Sequence, residues 1–369
     1  MASSVLVDYV SFLKRCLEQN EGIRVEEVFF YDEFTYRRFS RGSKFRRLQL
    51  RAGMYIGYPL SLFWRLLRGR SGSLWIITSN TFFAPLIGLL SKSIKRYKIM
   101  YLMYDLFPDA MDLSSESRID RLANHILGLI TRYQLRNADA TVFLGRHLKD
   151  YAESRYGSSN ISRVIDIGAD ESIHLARDVT IKPSDIIEVH YGGQFGELHD
   201  LNTMIDGIKC CRELTHICFS FAISGSKAEI VEKRLANEPN CRVGPAVPSS
   251  VWRENTLKYH VGVVTLSPKG MNICLPSKTY SMMAASMAIL AICPLDSDLA
   301  GLVQSSNCGW IVELGDTHGF VNVVNEIWSN PQLVADYRAN ARKAVEDLYG
   351  IGACSQKWRE LFSALGQVS

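Results

Sequence analysis

No apolar run in this chain is long enough to cross a bilayer. The longest candidates are broken by Arg65 and Arg68 or by Lys92 and Lys95, which excludes a membrane-spanning helix. A secretory signal is not expected either, because Asp8 interrupts the first apolar stretch and Lys14 and Arg15 follow it; a cytoplasmic protein is predicted. The nine cysteines have no C-x-x-C spacing, and the only close pair, Cys210 and Cys211, falls in a predicted helix. That pattern argues against a zinc site or a disulfide framework and for buried, reduced thiols. Acidic residues are missing altogether between Glu33 and Asp105. That interval holds Arg37, Arg38, Arg41, Lys44, Arg46, Arg47, Arg51, Arg65, Arg68, Arg70, Lys92, Lys95, Arg96 and Lys98, which leaves 28 basic against 38 acidic residues elsewhere. The net charge of +4 therefore hides a basic first part that calls for an anionic partner.

What is present is the composition of an α/β protein, 47% hydrophobic and 22% charged, on a chain of 369 residues that predicts two domains. Leu6, Tyr9, Val10, Leu13 and Leu17 recur at helical spacing over residues 5–19, with Ser3 or Ser4 as the cap. Val25–Phe30, Leu74–Thr78, Ile99–Tyr104, Asp139–Leu144 and Ser162–Ile167 read as short buried strands separated by helices, the alternation of a parallel-sheet domain. A polar interval at 169–185 reads as the linker. Beyond it Ile187–Tyr191, Ile217–Ile223, Val261–Leu266, Ala288–Ile292 and Trp310–Val312 repeat the alternation, and Gln356–Leu365 is an amphipathic helix placed to return to the first domain. The predicted division is 1–170, 171–350 and a final helix over 351–369, with ligands expected beyond the carboxyl ends of strands in a cleft between two sheets.

The stretch from Leu275 to Ala285 joins a helix start to a fixed charge. Pro276 suits a first helical position, and Ser277 and Lys278 add a hydroxyl and an ammonium beside free backbone N–H groups, as a phosphate or diphosphate needs. The other reading is an ordinary capped helix with a solvated lysine. After the first strand of the second half come Gly192, Gly193, Gln194, Phe195, Gly196, Glu197, Leu198, His199 and Asp200. The glycines permit a sharp turn and close approach to a ligand, but their spacing is not the G-x-G-x-x-G of dinucleotide binders, so a nicotinamide-dependent dehydrogenase is not supported. Asp200 is placed to cap the next helix. Ser224-Gly225-Ser226-Lys227 and Val243 to Val247 end later strands and would line the same rim, which suits a nucleotide diphosphate.

These segments, in this order and with Asn307-Cys308-Gly309-Trp310-Ile311-Val312, resemble the donor half of glycosyltransferase family 4, in the branch with a His-Asp turn and a Pro-Ser-Lys helix found in bacterial surface-polysaccharide synthesis. The first half is similar at Tyr104-Asp105-Leu106-Phe107-Pro108-Asp109 and at Asn137 to Leu144, so the resemblance covers roughly residues 74 to 365. It implies the GT-B fold: two Rossmann-like domains, the nucleotide-sugar donor on the second and a saccharide acceptor, lipid-linked in some cases, facing the first. It also implies a retaining, metal-independent transferase of hexosyl or N-acetylhexosaminyl type, UDP-sugars favoured, with no cofactor. Donor contacts are expected at Gly193, Gln194, Gly196, Ser224, Gly225, Val247, Ser277, Lys278, Tyr280 and Ser281. Catalytic roles fall to Lys278, His199 and Asp105.

The chain departs from the family at several points. Two glutamates of many members are replaced by Ile273 and Ser281, an Arg–Lys pair by Gln194 and His199-Asp200, and a glycine by Ser286. The first strand and its glycine-rich turn are lacking, so either a substitute or an incomplete start is expected, since an empty central position would strand a row of backbone hydrogen bonds. These departures motivate a second reading, a catalytically impaired partner or scaffold; a sugar-nucleotide epimerase finds less support for want of carboxylates on the rim. Asp105 either orients an acceptor hydroxyl or caps a turn, and Asp296-Ser297-Asp298 reads as a helix cap rather than a metal site. Phe45–Arg70 mixes aromatic and leucine residues with arginines. It is either a core helix with a solvated basic face or a peripheral contact with the inner face of the cell membrane through Arg46, Arg47, Arg51 and Trp64. Nucleic-acid binding has no motif to support it.

Overall fold

A computed structural model of the chain describes residues 1–5, 8–20, 23–40, 42–92, 94–111, 117–173, 181 and 186–366. Most of the predicted linker, 174–180 and 182–185, and Arg41 lie outside these residues. The chain forms two compact units, Met1–Asp166 with Cys354–Ser369, and Ile167–Ala353.

The first unit carries helices α1 (Asp8–Glu18), α2 (Glu33–Ser40), α3 (Lys44–Ala52), α4 (Tyr58–Arg68), α5 (Ala84–Lys92), α6 (Arg118–Asn137) and α7 (Arg146–Tyr156). Its sheet is parallel in the order β1 (Leu74–Thr78), β2 (Lys98–Met103), β3 (Ala140–Phe143), β4 (Ser162–Val164). Leu74 lies opposite Lys98, Met100 opposite Ala140 and Thr141 opposite Ser162. Strands covered on both faces read as continuous apolar runs, which is why Ile99 to Met103 are all buried.

The central place that the sequence pattern leaves empty is occupied by residues 1–5. The Ala2 N–H donates to the Ile76 carbonyl at 2.8 Å, and the Thr78 N–H to the Ala2 carbonyl at 3.1 Å. On the other side the Ser3 N–H donates to Val28 at 3.0 Å and the Val28 N–H to Met1 at 2.8 Å. Ala2, Ser3 and Ser4 are buried but too small and polar to register as an apolar run. The strand expected at Val25–Phe30 is reduced to isolated bridges at Val28 and Tyr31, and Phe29 and Phe30 are exposed. Neither Ser3 nor Ser4 caps the first helix: the Ser3 hydroxyl donates to the Val5 carbonyl, and that of Ser4 is buried without a partner.

The second unit carries α8 (Asn202–Cys210), α9 (Ala228–Leu235), α10 (Ser249–Asn255), α11 (Pro268–Met271), α12 (Lys278–Ala284), α13 (Asp298–Ser305), α14 (Thr317–Ser329) and α15 (Pro331–Ala344). Strands β5 (Ile187–Gln194), β6 (Ile217–Ser224), β7 (Cys241–Pro245), β8 (Val261–Thr265), β9 (Ala288–Ile292) and β10 (Gly309–Val312) form one parallel sheet ordered β10-β9-β8-β5-β6-β7. Its core gathers Val189, Tyr191, Phe195, Phe219, Val263, Leu290 and Phe320. A last helix, α16 (Ile351–Ala364), belongs from Cys354 onward to the first unit. There Asn20 at the end of α1 donates to the Ser355 hydroxyl at 3.2 Å and accepts from Arg359 at 2.7 Å, and Lys357 pairs with Asp166 at 2.6 Å. Trp358, Leu361 and Phe362 are buried with it. All nine cysteines are free thiols; Cys210, the last residue of α8, is exposed, and Cys241 and Cys274 are half-buried, against the expectation of burial. Among the described residues no helix is long and apolar enough to cross a membrane.

Candidate functional site

In the second sheet the order of strands reverses between β5 and β8, and ligands of such sheets bind outside the carboxyl ends at that point. The loops after β5 and β6 meet there. Gly193 and Gly225 have φ of 116° and 104°, a region L side chains rarely enter. A Cβ on Gly225 would lie 2.2 Å from the Phe195 carbonyl oxygen. The two turns are stitched by the Phe195 N–H donating to Ser224 at 2.7 Å and the Lys227 N–H donating to Phe195 at 3.3 Å.

Lys278 enters this corner from the start of α12. Its Nζ is buried and has no hydrogen-bond partner, and it stands 3.5 Å from the centroid of the Tyr191 ring. Tyr191 is stacked on Phe195 with centroids 4.0 Å apart, and Phe195 lies 6.0 Å from the ammonium. A Cβ on Gly193 would come to 4.0 Å from Lys278 Cδ, so the turn and the lysine are neighbours. Burial without an acceptor pulls the ammonium well below the ordinary lysine range. Facing it, His199 accepts the Gly196 N–H on Nδ1 at 3.3 Å, so its proton sits on Nε2, which is a neutral donor. Burial first, then the charges of Lys278 and Lys227, lower His199 to about 3. Lys227, on the turn after β6, is a second cation here that the sequence pattern does not single out, paired with Glu197 at 3.1 Å. Asp200 caps as expected: Oδ1 accepts the Thr203 N–H at 3.1 Å, and Oδ2 its hydroxyl at 3.2 Å.

Beneath the turn, within β5, is a group the sequence reading did not find. His190 accepts the Trp252 Nε1–H at 3.2 Å, bonds Ser220 Oγ at 3.0 Å and stacks on Tyr259 at 3.7 Å. Since Trp can only donate, the imidazole carries its proton on Nδ1 and gives it to Ser220. Burial, then the Lys278 charge, hold it down at about 3.

The helix start differs from expectation. α12 begins at Lys278, two residues after Pro276, and Ser277 is exposed and caps nothing with its hydroxyl. Thr279 turns both its N–H (3.1 Å) and its hydroxyl (2.8 Å) onto the Pro276 carbonyl. Tyr280 is buried edge-on against Tyr349 at 5.1 Å, a core position, whereas Ser281 and Val247 are half-buried. Gln194, at the end of β5, is exposed, and its carbonyl accepts from the Tyr191 hydroxyl at 3.2 Å. Ile273 is buried, and Ser286 has φ of 55°, the left-handed conformation that the glycine of other members would adopt freely. In Asp296-Ser297-Asp298 it is Ser297 that caps α13, accepting the Ala300 N–H at 3.2 Å.

In the first unit Asp105 follows the end of β2. The Tyr104 and Asp105 N–H groups both donate to the Ser79 hydroxyl, at 2.9 and 3.2 Å, and burial pushes the Asp105 carboxyl up to about 6. The loop is held at its other end by Asp109, which accepts from the hydroxyls of Tyr151 at 2.9 Å and Tyr156 at 2.6 Å. Arg46, Arg47, Arg51 and Trp64 are exposed on α3 and α4, remote in sequence from Asp105. An open cavity of about 730 Å³ is lined by Trp64, Arg65, Arg68 and Trp75 at the amino end of β1, the end opposite to the one where parallel sheets bind ligands.

No family model matches the chain. It is 22% identical over 276 residues to the probable glycosyltransferase WbjE of Pseudomonas aeruginosa, covering 70% of this chain and 67% of that one. Its structure is similar to Anabaena HepE in complex with UDP-glucose, with a TM-score of 0.67 and 13% identity over 99% of this chain and 98% of that one. Sucrose-phosphate synthase from Thermosynechococcus elongatus gives a TM-score of 0.67 at 14% identity, over 98% and 93% of the two chains. The fold is GT-B. The chain is thus similar in fold to these GT-B proteins and in sequence to one probable glycosyltransferase.

Proposed function

We propose that this protein transfers a sugar from a nucleotide-diphosphate sugar, a UDP-sugar by preference, to a saccharide acceptor in surface-polysaccharide synthesis. The observation that carries the reading is the Lys278 ammonium, buried and unpartnered beside two left-handed glycine turns at the switch point of the sheet. An amine left so is costly unless an anion completes it, and a diphosphate supplies the oxygens. Backbone N–H groups near Gly193, Gly196 and Gly225, the half-buried Ser224 and Ser281, and the neutral Nε2–H of His199 are the remaining donors for the phosphates and sugar. The C1–O bond to the diphosphate breaks as the bond to the acceptor oxygen forms on the same face of the sugar, and the acceptor's hydroxyl proton passes to the departing diphosphate oxygen, with retention and without a metal. Lys278 stabilises the charge that develops on the leaving group. Asp105, whose carboxyl is pushed up to about 6 by burial, is the proposed hydrogen-bond acceptor for the acceptor hydroxyl. HepE has been solved with UDP-glucose, and TarM with a GlcNAc-glycerol ligand and UDP, which supports a hexosyl or N-acetylhexosaminyl donor.

A lipid-linked acceptor, met at the inner face of the membrane through Arg46, Arg47, Arg51 and Trp64, completes the reading. Turnover of a panel of UDP- and GDP-sugars tests it, with Lys278→Ala as the inactive control. Nucleotide binding without transfer to any acceptor would favour the impaired scaffold, a reading supported by the buried Ile273 and by Ser281 at the two glutamate positions. Absence of nucleotide binding in calorimetry would remove the enzyme reading altogether.

A further inference from the structure

Helix α6 presents two opposite sides. One is docked: Thr131, Gln134 and Leu135 are buried, the Thr131 hydroxyl donates to the Phe107 carbonyl at 2.7 Å, and the Gln134 amide to Phe82 at 2.8 Å. The other faces water. Ile119, Leu122, Ile126, Leu129 and Tyr133 follow one another at alternating steps of three and four, which sets them in a single stripe. They are 78, 60, 48, 49 and 44% exposed. At 100° per residue, Arg118, Arg121, His125, Arg132 and Arg136 all fall along one border of that stripe, and Asp120 is the only acid in the helix.

Helix α5 packs against both α4 and α6. Leu90 on α5, Ile94 beyond its end, and Leu60 and Trp64 on α4 are exposed as well. A run of apolar side chains this long is not left to water without a reason.

We propose that the stripe on α6 seats this unit on an anionic lipid bilayer, the apolar side chains entering the interface and the bordering arginines meeting lipid phosphates. Charge complementarity selects that occupant. The first unit carries fourteen basic and no acidic residues between Glu33 and Asp105, and α6 adds four arginines to one acid. A second copy would bring arginine rows together with a single aspartate to relieve them, whereas a bilayer containing anionic lipid offers phosphates along the whole border. The inference extends the membrane part of the proposed function to a helix that part does not use, and it is independent of the transfer reaction.

The test is co-sedimentation of the full chain with vesicles of phosphatidylcholine alone and with about one third phosphatidylglycerol, beside light scattering of the protein alone. Binding to the anionic vesicles is expected, weakened by salt and reduced at least about tenfold in Leu122→Glu/Leu129→Glu. Both positions are exposed, so the melting temperature should not move. No binding by the wild-type chain, or equal binding by the α6 variant, overturns the proposal. If only Arg46→Glu/Arg47→Glu/Arg51→Glu loses binding, the membrane reading stands and the role of α6 falls. A concentration-dependent oligomer that the α6 variant dissolves would assign the stripe to a second copy instead.

Discussion

Replacing Lys278 by methionine should strengthen the fold and weaken nucleotide binding at once. The side chains are alike in length, so the aromatic packing on Tyr191 and Phe195 is kept while a buried, unpartnered nitrogen is removed. Leaving such a group without a hydrogen bond costs roughly 1–3 kcal/mol, and contact with an aromatic face returns part of it. A net gain of about 1–2 kcal/mol is expected, or about 2–8 °C in the melting temperature of a unit of this size. The gain should depend on pH. Because the folded lysine's pKa is lowered, the unfolded chain binds more protons, and the wild-type protein recovers stability as pH rises toward the ordinary lysine value. The advantage of Lys278→Met is therefore largest near neutral pH and fades toward pH 10. Binding moves the other way, since a charge-assisted hydrogen bond to phosphate contributes about 1.5–3 kcal/mol, so UDP affinity should fall roughly 10- to 150-fold. Calorimetric melting and titration with UDP read both quantities on the same samples. A variant that loses stability would refute the reasoning by making the lysine a structural residue, and unchanged UDP affinity would remove the anion from the argument.

Three further predictions concern the second unit. Gly225→Ala should abolish UDP binding and cost at least about 2 kcal/mol, because it combines an unfavourable φ with a Cβ 2.2 Å from a carbonyl oxygen; a normally stable, normally binding variant in calorimetric melting and titration would contradict the turn geometry. Ser286→Gly should raise stability by about 0.5–1 kcal/mol through relief of the left-handed backbone, and a drop on thermal melting would show that the serine side chain matters more than its φ. His190 and His199 both fall to about 3, below the ordinary value near 6.5, so the unfolded chain binds more protons between those limits. Stability of the second unit should then rise with pH by up to about 2.7 kcal/mol per unit near pH 4–5.5, and His190→Gln should halve that slope in melting curves taken across the range.

Much of the second unit can be read from residue order, because buried parallel strands are apolar runs and turns after them need glycine. Val261–Thr265 and Ala288–Ile292 announce themselves in this way, and so do Gly193 and Gly225. Where backbone pairing alone makes the structure, the side chains are silent: Ala2, Ser3 and Ser4 complete the first sheet through N–H and carbonyl groups that any sequence carries. Contacts between distant segments are equally hidden. The anion site at Lys278 is legible from its Pro-Ser-Lys context, but its burial is not, because Tyr191 beneath its ammonium lies far away in sequence. The helix expected to start at Pro276 starts at Lys278, after a turn in which Thr279 bonds the Pro276 carbonyl. The stripe on α6 has a helical period like that of any core-facing helix, and only exposure shows that it is the open side rather than the packed one.

The most direct measurement is a crystal structure of the protein soaked with UDP. The account predicts diphosphate oxygens within hydrogen-bond distance of Lys278 Nζ and of backbone N–H groups in the turns at Gly193 and Gly225. A nucleotide bound elsewhere, with Lys278 still stacked and unpartnered on Tyr191, would contradict it.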